Sequence, residues 1–105
     1  MLKARNFMPT LLASFLLMFG ANLSYAADPN KGAEIYAKHC VICHGTSGIS
    51  DMSRAPNFAK NEGLMSSDRE LLISIKSGKA VMPAYRGVLS DQDILNVIAY
   101  LRTLN

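Results

Sequence analysis

Between Ser90 and Leu104 the apolar positions keep a helical rhythm. Ile94, Val97, Ile98 and Leu101 are spaced three and four apart, and Tyr100 with Leu104 widens the stripe. Ser90 and Asp93 stand at capping-box spacing, with Leu89 and Ile94 placed to staple the turn. A helix apolar on one side must pack against a neighbour. A shorter pattern opens at Ser67-Asp68-Arg69-Glu70, again a capping box, and runs through Leu71, Leu72 and Ile75 to Gly78, which suits a helix C-terminus. Asp28 and Pro29 form an N-cap and first-turn pair for a helix to about His39, with Gly32 and Tyr36 on one face. From His44 to Ser66 the period is lost among Gly, Ser, Asn and Asp, with Pro56, and the segment reads as loop. No stretch alternates as a strand does, and no repeat or low-complexity tract occurs. The pattern predicts an all-α fold with three main helices.

The remaining apolar stretch, from about Met8 to Ala21, has a different meaning. Lys3 and Arg5 precede it, and Ser24-Tyr25-Ala26 places small residues three and one positions before a cut. The run is interrupted by Pro9, Thr10, Ser14 and Gly20 and is shorter than the ~20 apolar residues a membrane span requires. Residues 1–26 are therefore expected to be a cleavable secretory signal peptide and residues 27–105 the working domain, in the periplasm.

Export changes the charge balance. The whole chain of 105 residues carries a formal +3, but residues 27–105 hold nine Lys and Arg against eight Asp and Glu, a net +1. A nucleic-acid binder would show a clustered basic excess, so the basic charge of the whole chain is no evidence for that class. What is left is 79 residues, the 105 less 26. A domain so small buries little of its own surface and needs a disulfide, metal or cofactor as a staple.

Cys40-Val41-Ile42-Cys43-His44 supplies one. Both cysteines of the chain and one of its two histidines lie within five residues. This is the attachment pattern of c-type haem. Two thiols on one turn can each add to a vinyl group on the same porphyrin edge, and the next residue brings its imidazole under the iron. Three other uses fit less well. A redox dithiol normally starts a helix within alternating strands and helices, which are missing here. A zinc site needs four ligands around a metal, and Cys40, Cys43, His39 and His44 are too bunched to surround one. A disulfide across so short a loop would stabilise little.

The opposite face of the iron has four candidate ligands outside the leader: His39, Met52, Met65 and Met82. His39 directly precedes Cys40 and stays on the proximal side. Met52 and Met65 belong to the loop region. Met82 lies 38 positions after His44, in the proline-containing segment Gly78–Tyr85 between two helices, with enough chain to round the haem edge and return along the other face. Methionine is usually core filler, but in this context it reads as the distal ligand.

At this point the chain from Asn30 to Leu104 resembles the class I c-type cytochromes. The resemblance implies a small cytochrome c fold, its helices and loops wrapped around one covalent haem c. Gly32, Tyr36 and Tyr100 are similar to the residues at which that family's terminal helices cross. Ala55-Pro56-Asn57 resembles the loop whose proline carbonyl accepts a hydrogen bond from the proximal imidazole. Met82-Pro83-Ala84-Tyr85 resembles the axial-methionine segment. There are two departures: the chain has no Trp, and the stretch Gly45–Ala55 is longer than in the smallest bacterial members. The propionate bond often made by an indole would then fall to Tyr85, Arg86 or a backbone amide.

The implied function is single-electron transfer. With His44 and Met82 on the two faces, the iron has no open position, and it changes charge without changing ligands. The expected partners are redox proteins acting as donor and acceptor; no nucleic acid and no small-molecule substrate is expected, and membrane contact comes only through partners. Lys38, Lys79 and Arg86 are candidate rim charges for docking. The resemblance extends to carriers associated with nitrite reduction and other respiratory chains, and to cytochrome domains of larger oxidoreductases. The alternative class is a small haem enzyme or ligand sensor with an open sixth site, for which no distal acid/base group is evident. A purely structural haem that never cycles is the third reading.

Overall fold

The computed structural model describes Lys3 and residues 25–105. The leader expected at residues 1–26 therefore lies almost wholly outside the described residues.

Helix α1, Pro29–His39, begins where the Asp28 carboxylate accepts the N–H groups of Asn30 and Lys31 at 2.9 and 3.3 Å. After Cys40 comes a single turn, α2, Val41–His44. A short 3-10 turn spans Phe58–Lys60. Helices α3, Asp68–Ser77, and α4, Asp91–Leu101, both start in complete capping boxes, Ser67 with Glu70 and Ser90 with Asp93. The three main helices fall where the pattern predicts. The sequence reading missed the one-turn α2 and the 3-10 turn, since neither is long enough to show a period. Leu104 also lies past the end of α4, in a turn, yet still packs on the core. No strand occurs among the described residues, only two isolated bridges, and no helix there is long and apolar enough to cross a membrane.

The frame is the crossing of α1 over α4. Gly32 makes it possible: a Cβ there would overlap the Asn96 carbonyl and come within 2.9 Å of the Val97 nitrogen, so the two backbones touch. Tyr36 and Tyr100 flank the crossing edge to face, with ring centroids 5.2 Å apart. Buried Asn96 ties it at one end, its Oδ1 accepting from the Asp28 N–H at 2.9 Å and from Gln92 Nε2 at 3.0 Å. A methyl group cannot enter without parting the helices. Gly32→Ala should therefore lower stability by about 3 kcal/mol, the upper range for overpacking, read as a drop in denaturation midpoint of the holoprotein.

Arg102, just past α4, anchors the loop before α3. Its guanidinium donates to the Leu64 carbonyl at 2.8 Å, the Ser66 carbonyl at 3.1 Å and Asp68 Oδ1 at 2.7 Å. The link closes the chain around the apolar cluster of Tyr36, Phe58, Leu64, Val97 and Leu101.

Candidate functional site

Among the described residues, six of the seven buried apolar side chains, all but Ile98, line one cavity of about 550 Å³. That size lies within the ~300–1,000 Å³ of cofactor pockets. Cys40, Cys43 and His44 reach it from the α1–α2 corner, Pro56 and Phe58 from the loop, Leu71 and Ile75 from α3, and Met82 and Tyr85 from the segment between α3 and α4.

The corner is built locally. His44 N–H donates to the Cys40 carbonyl at 2.9 Å, which winds residues 40–44 into one turn and places both thiols on the cavity. Both are free and half-buried. Burial, and then the neighbouring Cys43, push the Cys40 thiol up to about 11. Two contacts hold the turn from outside. The Tyr36 hydroxyl donates to the Gly45 carbonyl at 2.6 Å, and Ser50 Oγ donates to the Cys43 carbonyl at 3.1 Å. Burial raises the Tyr36 hydroxyl to about 12, with Cys40 and Tyr100 adding to the effect, so it remains a donor at any physiological pH.

His44 is buried, and its ring stacks on Phe58 with centroids 4.6 Å apart. Burial lowers its pKa, and the Pro56 carbonyl pulls the other way. That carbonyl nevertheless stays outside strict hydrogen-bonding geometry, and Nδ1 has no partner. The carbonyl thus attracts the imidazole N–H without closing a bond. A neutral imidazole held in this way keeps a lone pair for a metal.

On the far side the polypeptide between α3 and α4 makes a tight turn. Lys79 N–H donates to the Met82 carbonyl at 3.1 Å, and Met82 N–H to the Lys79 carbonyl at 2.9 Å. Gly78 enters this turn at φ 69, and a Cβ there would stand 2.7 Å from the Ala84 nitrogen. The Tyr85 and Arg86 N–H groups bond back to the Ile75 and Lys76 carbonyls, both at 3.2 Å, fastening the turn to α3.

The structure separates the four candidate distal donors. Met65 is 86% exposed and does not line the cavity. His39 is exposed, its ring edge against Tyr85, whose hydroxyl donates to the His39 carbonyl at 2.9 Å. Met52 and Met82 both line the cavity. Of the rim charges, Lys79 lines it, whereas Arg86 belongs to a separate cleft beyond α3. Sequence reasoning missed Phe58, Ser50 and Arg102. Phe58 follows Pro56-Asn57, and only its tertiary placement reveals the stacking on His44.

These residues fit a flat apolar cofactor with a metal at its centre. Two free thiols three residues apart and a buried imidazole with an orphaned Nδ1 line the cavity and would hold such a group, and the rest of the wall is mainly aliphatic and aromatic.

Comparison with known proteins agrees. Residues 27–101 match the family described as cytochrome C oxidase, cbb3-type, subunit III. The chain is 36% identical over 81 residues to cytochrome c6 of Gracilaria tenuistipitata var. liui, covering 75% of each. It is 32% identical over 101 residues to cytochrome c6 of a Picosynechococcus strain, covering 88% of this chain and 85% of the relative. With cytochrome c6 of Thermosynechococcus vestitus it shares 31% over 104 residues, covering 95% and 91%. Its Cys40, Cys43 and His44 make up the haem-attachment motif, haem c is its covalent cofactor, and the chain belongs to the class I c-type cytochromes as an electron carrier and not an enzyme.

Proposed function

We propose that this chain is an exported, periplasmic single-electron carrier whose haem is held by Cys40 and Cys43 and ligated by His44 and Met82. One observation carries the reading: Met82 lines the same cavity as both thiols and His44, on a turn fastened to α3. Haem supplies, when bound, a centre that takes up and releases one electron. The residues around it keep that centre closed. Cys40 and Cys43 would fix it by bonds that do not dissociate, His44 would give one ligand, its ring plane set by Phe58, and Met82 would give the other. Pro56 is proposed to accept from His44 Nδ1 once a metal draws the imidazole into line, raising its basicity as a ligand. Tyr85 closes the cavity beside Met82, and burial raises its hydroxyl.

Thioether ligation favours the reduced form, and an apolar wall penalises the extra charge of the oxidised form, so the potential should lie above that of a bis-imidazole haem. Residues 1–26 are proposed to be removed on export, in keeping with a family match that begins at residue 27. The proposed partners are respiratory redox proteins, with a nitrite-reducing one among those to be tried.

Carbon monoxide tests the closed site. The reduced holoprotein should show a c-type reduced-minus-oxidised spectrum and bind carbon monoxide slowly and weakly. Fast, tight binding would identify an open sixth site and overturn the carrier reading.

A further inference from the structure

Helix α3 separates two concavities. Leu71, Ser74 and Ile75 face the haem cavity, while Arg69, Leu72, Ile73 and Lys76 line a cleft of about 260 Å³ on the other side. Arg86 and Asp91 complete that cleft from the segment that follows and from the first turn of α4. No residue of α3 is fully buried, and Ile73 is 52% exposed, so the cleft has an apolar floor open to solvent.

Its charge is unbalanced. Lys76 Nζ meets Asp91 Oδ1 at 2.7 Å, but among the described residues neither Arg69 nor Arg86 pairs with a carboxylate. Three cations thus face one anion, and two positive charges are left around Leu72 and Ile73. The Arg86 backbone is not free to swing away, because its N–H is bonded to the Lys76 carbonyl at 3.2 Å. A guanidinium presents a planar fork of donors that matches a carboxylate in two places at once. Asp91 on Lys76 already shows that the cleft accepts a carboxylate. Two arginines sharing a cleft with Leu72 and Ile73 suit acidic side chains next to an aliphatic one.

We propose that this cleft docks an acidic protein segment, with carboxylates on both sides of an apolar side chain, at a face distinct from the mouth of the haem cavity. A partner held there lies one helix away from the cofactor and leaves the mouth uncovered. Recognition would rest on two desolvated arginine–carboxylate pairs and one apolar contact, with Asp91 discouraging a purely polyanionic ligand.

The test is a titration of the ¹⁵N-labelled holoprotein with the peptide acetyl-Glu-Glu-Leu-Glu-Glu-amide. Amide shifts should concentrate on residues 69–76 and 86–91 and disappear as salt is raised from ~0.02 to ~0.5 M, where screening is strong. Arg69→Glu and Arg86→Glu should each weaken binding about tenfold or more, the scale of a lost charge-assisted pair, with an unchanged haem spectrum showing that the fold is intact. Replacing Leu by Ser in the peptide should weaken binding as well. Shifts confined to the cavity wall around Lys79, binding by either variant as tight as that of the unaltered chain, or binding to anionic lipid vesicles but not to the peptide would overturn the proposal. Because the readout is binding, failure here is distinct from failure of the electron-carrier reading.

Discussion

A Cys40→Ala, Cys43→Ala chain produced without haem should show no cooperative thermal transition. The reason lies in where the core is. Among the described residues, six of the seven buried apolar side chains wall the cavity of about 550 Å³, so without cofactor they surround a hole. At the ~24 cal/mol per Å³ measured for cavities in protein cores, a dry void of this size would cost about 13 kcal/mol. That equals the whole stability of an ordinary domain, ~5–15 kcal/mol, so the chain must collapse or flood. The caps of α1, α3 and α4 are local and should leave residual helix. Circular dichroism during heating is the measurement: a broad, sloping loss of helix is expected. A sharp transition in the haem-free variant would mean that α1 and α4 hold the fold without the cofactor.

Met82→Ala should open the sixth position of the holoprotein with little change in fold. The turn that carries Met82 is held by backbone bonds to Lys79, and Tyr85 and Arg86 fasten it to α3, none of which requires the thioether. The reduced variant should therefore bind carbon monoxide rapidly. Its potential should fall by on the order of 0.1 V, within the ~0.8 V span that axial ligands command. Met52 provides the contrast, since it lines the same cavity but lies in the loop after α2. Met52→Ala should leave both spectrum and potential as they are. If the two variants exchange these outcomes, Met52 is the ligand and the Met82 turn only closes the cavity.

Much of this protein was legible because its signals are local. A capping box needs residues three apart, a helix face needs three and four, and thiols meant for one porphyrin edge must share a turn. Each of these is a contact between near neighbours, and the chain order states it directly. All-α architecture, the Ser67 and Ser90 helix starts and the haem motif at residues 40–44 could be read in this way. The crossing of α1 and α4 was reachable only through a resemblance, because Gly32 and Asn96 are distant in sequence and nothing local marks their contact.

Folding decided the rest. Four side chains could in principle face the iron, and only the path of the chain sets Met65 outside the cavity and Met52 and Met82 within it. Phe58 became the platform of His44 because the loop folds back over α2, and Arg102 became a clamp because α4 ends beside Leu64, Ser66 and Asp68. Arg86, which the linear order puts beside the methionine segment, instead joins Arg69 and Lys76 across α3. The difference is one of range: caps and periodicity act over a turn or two of chain, whereas a cavity wall is assembled from segments that meet only when burial of their apolar faces brings them together.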